Sequence, residues 1–517
     1  MLRRFLWPAV AAVLIVGFVG AVARYYHPVY GFTALLQFDN SDEANLLPEV
    51  RDRPAFINRN NGGYDGLYYA QIACRPLLRD PALPRAIDNL GYRARRILPS
   101  WTAWVMALGN STRALDAYAL LNPLCWLALA GLLFAFFPAR SGHDVLAWAG
   151  LMFSAGSLSS VRLALVDLPA LLLLAGAMLA VLRGRLNGTA GFLAAAGLTR
   201  ETSLLSVPIL VRGSIRSTLL RVAAAGVPLL LWLIYIRVVV GPGNSGWSNF
   251  DWPGSRWLEK WLATLASFRH PELALLNWTT LLALIGVTVQ AAWLLARPQW
   301  NNLWWRFGIG YAALMLMLGT AVWEGYPGAA MRVLLPLNLA FNALVPRTRA
   351  GLALLVLGNL TVPAGLVELA SLPNDGIELA ASHTATADVL VQTKSGWFGV
   401  ERNSRNFWAW SSGDAALAVK SRPSDTLQEL SFRLRSLTPR TVEISQGGLR
   451  LWAGTIGPHW QAVAFTCADG LLAFHTNQPP APESSDPGAR PLAFCVDHAQ
   501  LSGIRSTPAT SIGPSSR

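Results

Sequence analysis

The residues best suited to chemistry stand between Gly62 and Pro99. The stretch opens Gly62-Gly63-Tyr64-Asp65-Gly66-Leu67-Tyr68-Tyr69-Ala70-Gln71-Ile72-Ala73 and closes Tyr92-Arg93-Ala94-Arg95-Arg96-Ile97-Leu98-Pro99. A short helix starting near Asp65 places Asp65, Tyr69 and Ile72 on one side, because positions four and seven apart share a face. A carboxylate at a helix start, aromatic rings beside it and three arginines downstream make a place to hold a phosphorylated substrate. The same residues also fit a plainer arrangement, with Asp65 as an N-cap and the arginines on a solvated or lipid-headgroup face.

The elements that must position these residues are read from composition. The chain has 517 residues, a mean hydropathy of +0.37, 53% hydrophobic and only 14% charged residues, and 21 Trp. These values exclude an ordinary soluble enzyme. The net charge of +13 does not point to nucleic acid, because much of the Arg sits in short caps beside apolar runs, as in the positive-inside pattern of integral membrane proteins.

The first apolar run, Phe5 to Ala23, follows Leu2-Arg3-Arg4, which places its start in the cytoplasm. Ala21-Val22-Ala23 also has the form of a signal-peptide cleavage site; a retained helix is preferred because the loop after it needs an anchor. That loop, residues 24–97, is expected outside, and carries a second acidic cluster at Asp39, Asp42 and Glu43. Residues 100–108 are too short to span, since a crossing needs about 20 helical residues. Further crossings are expected over 114–137, 145–159, 163–182, 219–240, 273–295, 303–322, 333–344 and 352–369. With the first run these make about nine, or about eleven if residues 100–108 and 189–210 also cross. Either count is odd and leaves the C-terminal part outside. Trp247, Trp252, Trp257 and Trp261 suit an interfacial loop.

Residues 189–210 are long enough to cross, yet Arg183 and Arg185 precede them and Arg212, Arg216 and Arg221 follow. In the middle stand Arg200 and Glu201, a charged pair that is costly at membrane depth unless it faces a protein-lined or wet cavity. A hairpin of two half-helices lifts the pair into such a cavity and returns both ends to one side.

Past Leu372 the composition changes. Residues 373–395 read as a linker. From 396 to 504 short alternating segments (416–419, 430–434, 441–444, 462–465 and 492–496) predict an extracytoplasmic, β-sandwich-like domain. Trp397, Phe398, Trp408 and Trp410 serve either its core or a sugar-stacking face. Residues 505–517 read as a disordered tail. Cys467 and Cys495 share this domain, in a compartment that permits a disulfide. No Walker A motif, dinucleotide fingerprint or metal-ligand cluster is present.

Asp65-Gly66-Leu67-Tyr68-Tyr69-Ala70-Gln71-Ile72-Ala73 resembles the first extracytoplasmic loop of GT-C fold glycosyltransferases, membrane enzymes related to the lipid A aminoarabinose transferases and protein mannosyltransferases. Arg162 with Asp167-Leu168-Pro169, Leu198-Thr199-Arg200-Glu201 and Arg332-Val333-Leu334-Leu335-Pro336 extend the resemblance over residues 5 to 370. It implies a multi-pass protein of the bacterial inner membrane that moves a sugar from a polyprenyl-phosphate donor to an extracytoplasmic glycan, lipid or protein, with inversion. Carried onto this chain, Asp65 is the general base under a roof of Tyr68 and Tyr69. Arg93, Arg95, Arg96, Arg200 and Arg332 are candidates for the donor phosphate, and Arg162, Asp167 and Glu201 support them. Relatives often carry a second acid directly after the first, where this chain has Gly66. A divalent metal held by an adjacent acid pair is therefore in doubt, unless Asp39, Asp42 or Glu43 compensates. Two other functions share some of these features, a transporter or flippase of lipid-linked sugars and a non-catalytic glycan-binding membrane scaffold. A transporter often shows matched broken helices in two repeated halves, and no such repeat is seen.

Overall fold

The computed structural model describes residues 2–243, 246–384, 387–403, 406–423, 427–486 and 488–505. Of the tail expected over 505–517, Arg505 instead ends the last strand, and residues 506–517, like the side chain of Asp42, lie outside the described residues. The chain divides into two compact units, one of residues 1–25 and 64–372, the other of residues 26–63 and 373–517.

The first unit is helical. Four of its helices are long and apolar enough to cross a membrane, Phe5–Ala23, Ser111–Leu133, Ile215–Val239 and Pro271–Ala296. Arg349–Gly358 and Val362–Ala370 pass together as a pair bent by 40°. The remaining apolar stretches, expected as straight crossings, are interrupted. Residues 145–159 fall across Gly142–Met152 and Ala155–Arg162, with Ser154 capping the second helix through Ser157 N. Asp167–Leu182 has 16 residues, about 24 Å at 1.5 Å per residue. Leu303–Met317 ends before Gly319, and Thr320–Trp323 follows as a separate turn. Ala330–Val333 and Leu335–Leu344 break at Leu334, two residues before Pro336. Residues 189–210 break where the charge requires it. The helix Leu186–Thr199 gives way at Arg200, which is extended (φ −157°, ψ 124°), to a 3-10 segment Glu201–Leu210.

The second unit is mainly β. A six-stranded antiparallel sheet has the spatial order 378–383, 388–393, 415–422, 470–476, 440–446, 449–456. A five-stranded one runs 397–402, 407–411, 495–505, 427–435, 461–467. Leu417, Val391 and Phe474 of the first sheet and Leu430, Phe432 and Val463 of the second share one buried core, a sandwich-like arrangement. The expected linker 373–395 is corrected here, since it carries the first two strands. Residues 26–63, expected wholly within the loop of the helical domain, pack into this unit. Gln392 Nε2 donates to Ala55 O at 3.0 Å, Asn58 bridges to Gly376, and Glu43 pairs with Lys394 and with Lys420 at 3.4 Å. Trp397 packs edge-on to Phe474 and Phe494, and Trp410 is buried beside Leu492 and Cys495 with Phe398 and Trp408 against it. Both cysteines are free and buried. Cys495 pairs with Arg435 and Cys467 with Gln428 of the same strand. Those positions stand about 23 Å apart along the strand at ~3.3 Å per residue, far beyond disulfide reach.

Candidate active site

Asp65 precedes the helix Gly66–Cys74 in αR geometry, and its side chain makes no capping hydrogen bond. The cap arrangement open from sequence is therefore not the one adopted. The carboxylate instead meets Arg93, with Nη1 2.9 Å from Oδ2. Its neighbour Gly66 admits no side chain, because a Cβ there would lie 2.3 Å from the carbonyl oxygen of Leu163. An acid pair at 65 and 66 is thus sterically closed to this backbone. The helix is fixed from below, where Ser100 Oγ donates to Tyr69 O at 2.8 Å and Gln71 Nε2 to Ala86 O at 3.1 Å.

The arginines arrive on a short, tightly held segment. Asn89 accepts from Tyr92 N at 3.0 Å and starts the turn Leu90–Arg93, which runs into the 3-10 turn Ala94–Arg96. Trp232 Nε1 donates to Ala94 O at 2.8 Å and ties the segment to a long apolar helix. Gly91 stands so close to Gly243 that a Cβ would come within 2.9 Å of its Cα, and this contact brings Gly243 to the arginine segment.

A cavity of about 490 Å³ results. Its lining includes Asp65, Tyr69, Arg93, Arg95, Arg96, Asp167, Arg200, Glu201 and Arg332. Residues more than 260 positions apart in sequence, and expected on chemistry and resemblance, thus meet in one place. Tyr68 does not line the cavity; it lies behind Arg93, whose guanidinium carbon is 4.9 Å from its ring centre. Arg162 is also elsewhere, donating to Ser371 O at 3.2 Å and standing over Tyr25. Asp39 and Glu43 serve the second unit; Asp39 accepts from Ser41 N and Asn61 N. Among the described residues no group of three His, Cys, Asp or Glu draws together as metal ligands. Tyr64, Tyr92, Asn249 and Phe250 line the cavity without having been expected there. The two tyrosines adjoin Asp65 and Arg93 in sequence, a signal that was present. Asn249 and Phe250 sit in a Gly- and Trp-rich loop that offered none.

The charges are organised in three groups. Arg93 bridges Asp65 and Asp88, the latter at 2.7 and 3.0 Å. Burial alone would lower its pKa, but the hydrogen bond to Asp88 and the charge of Asp65 raise it above the ordinary value. Arg96 donates to Glu201 at 3.1 Å, to Tyr69 OH at 2.9 Å and to Tyr92 OH at 3.0 Å. Its burial is likewise outweighed by Glu201 and the two phenols, so it stays charged. Asp167, the first residue of its helix and 4% exposed, pairs with Arg200 and stands 3.8 Å from Arg332, which also donates to Tyr64 OH at 2.7 Å. Five arginines line the cavity against three carboxylates, and with Asp88 behind Arg93 counted as well one positive charge is left over. Each guanidinium has five N–H donors, so a paired arginine retains donors for a ligand. Much of the remaining lining is apolar, with Leu165, Val166, Leu314, Leu318 and Val322 among it, beside Thr202, Asn249 and three tyrosines. Such a cavity suits an anion with an apolar attachment.

Comparison with family models finds no match, and none is found among curated proteins or solved structures.

Proposed function

We propose that this chain is a GT-C-like glycosyltransferase of the bacterial inner membrane that uses a polyprenyl-phosphate-linked sugar. The observation that carries the reading is the meeting of Asp65, an excess of arginine and an apolar lining in one cavity. The four long apolar helices support the membrane setting. On this reading the shorter helices meeting end to end act as broken crossings, their freed backbone groups satisfied within the protein. The sugar leaves one lipid and reaches an extracytoplasmic glycan, lipid or protein.

In the proposed step Asp65 accepts the proton of an acceptor hydroxyl as its oxygen attacks the anomeric carbon. The new C–O bond forms on the face opposite the phosphate, and the bond from the anomeric carbon to the phosphate oxygen breaks. Polyprenyl phosphate departs, and the proton stays on Asp65 until water removes it. Arg200 and Arg332, joined through Asp167, are the donors assigned to the departing phosphate, where charge stabilisation lowers the barrier. Arg93 orients the base, and Arg96 holds Glu201 and the tyrosines in place. Arg95, over the Tyr92 ring at 5.5 Å, adds to the positive field.

The test is mass spectrometry of surface glycans and polyprenyl-linked sugars in cells with and without the protein. Loss of one sugar from an envelope glycan, with its lipid-linked form accumulating, is expected. Identical profiles in both cells count against transfer.

A further inference from the structure

A second cavity of about 250 Å³ lies between the helix Ser255–Ser267, the start of the helix Ala274–Ala296 and residues 320–326. It shares a wall with the first. The turn Thr320–Trp323 gives Ala321 and Val322 to the arginine-rich cavity and Thr320 and Trp323 to this one.

Its chemistry differs from that of its neighbour. Arg256 and Lys260 are matched by Glu259 and Glu324, so the lining carries no excess charge. Arg256 is already engaged by Glu259 and Asp251, both at 2.6 Å. Lys260 Nζ donates to Gly325 O at 2.6 Å and stands 5.9 Å from the centre of the Tyr326 ring. Two lining side chains are buried and unsatisfied. Trp323 is 3% exposed and Thr280 1% exposed, and among the described residues neither Trp323 Nε1 nor Thr280 Oγ1 has a hydrogen-bond partner. Buried polar atoms are nearly always paired, and two residues that line one cavity carry such orphans, which a ligand drawn in against them would pair. An indole N–H only donates, and a hydroxyl both donates and accepts. Their common complement is a ligand bearing several hydroxyl oxygens. Tyr326, 46% exposed, adds an aromatic face at the same cavity, a partner for the C–H face of a sugar ring because the phenol is apolar in body and polar at its tip.

We infer that this cavity binds one uncharged sugar ring, received by Trp323 Nε1 and Thr280 Oγ1 and stacked on Tyr326. Resting on the glycosyl-transfer reading, it is the subsite of a carbohydrate acceptor, set across one helical turn from the donor phosphate. The acceptor is then a glycan, in preference to a protein or a simple lipid. The balanced charge disfavours a phosphate headgroup, which the neighbouring cavity suits better.

The experiment is saturation-transfer NMR on the full chain in a detergent without a sugar headgroup. The probes are the methyl glycosides of glucose, galactose, mannose and N-acetylglucosamine, with glycerol 3-phosphate as the anionic comparison. At least one glycoside is expected to bind, about tenfold more weakly to Trp323→Phe and to Thr280→Val, each of which removes one hydrogen-bonding group and keeps the shape. Tyr326→Ala, at an exposed position that folding tolerates, is expected to weaken it likewise. Binding of none of the glycosides, binding unchanged in all three variants, or preference for glycerol 3-phosphate overturns the inference. Normal glycoside binding by a chain whose Asp65→Asn variant still transfers sugar counts against the catalytic reading and leaves this site standing. Loss of transfer without glycoside binding does the reverse.

Discussion

At the scale of the residue, the site depends on carboxylates that hold arginines. Arg96 satisfies Glu201, Tyr69 and Tyr92 at once, so Arg96→Gln leaves Glu201 without its cation. The expected loss is about 1–3 kcal/mol of stability, the cost of stranding a largely desolvated polar group. Adding Glu201→Gln should recover much of that loss, and a double-mutant cycle on thermal unfolding in detergent reads the coupling. Strictly additive effects would mean that the pair contributes nothing to the site. Most of these residues were legible in the sequence. An isolated charged pair inside an apolar run, Arg200-Glu201, announces a protein-lined cavity because lipid would not tolerate it. What was not legible is pairing. Nothing in the spacing shows that Arg93 would turn to Asp65 and Asp88, or that Tyr68 would lie behind Arg93.

At the scale of the element, the apolar runs identified the helical unit but not where its helices stop. The breaks at Ser154, Arg200, Gly319 and Leu334 interrupt stretches whose composition stays apolar on both sides. At Ser154, Arg200 and Leu334 the stop coincides with a cap, a charge and a following proline in turn, and not with a change in hydropathy. Strand 388–393 was missed for a related reason. It is buried on both faces, so the alternation that marks a half-exposed strand is absent. The strand 415–422 carries Lys420, 7% exposed, 3.4 Å from Glu43. Burial, reinforced by Lys394 and opposed by Glu43, pulls its pKa from the ordinary 10.5 to about 8. Between these values the unfolded chain binds a proton that the folded chain does not, so stability rises with pH across that window. Relative to Lys420→Met, which has nothing to titrate there, the wild type should gain up to about 3 kcal/mol from pH 8 to about 10.5. Denaturant midpoints of both proteins at several pH values test this; a constant difference would show that Lys420 titrates normally.

At the scale of the whole molecule, a helical unit holds the charged cavity and a separate β unit draws in residues 26–63. On the proposed reading, the arginine caps and the odd number of crossings expected from the sequence put the β unit on the extracytoplasmic side. A cysteine introduced at Ser412, an exposed position, should therefore react with an impermeant maleimide on intact cells, and reaction only after lysis would reverse the orientation. The central claim rests on Asp65, and one substitution tests it most directly. Asn keeps the size of Asp65 and an oxygen that can accept from Arg93 but is not a comparable base, and removing a general base commonly costs about a hundredfold to ten-thousandfold in rate. The measurement is the amount of transferred sugar, by mass spectrometry, in cells carrying wild-type or Asp65→Asn protein at equal membrane levels. The account predicts transfer reduced by about a hundredfold or more with normal insertion, whereas near-normal transfer by Asp65→Asn would contradict it.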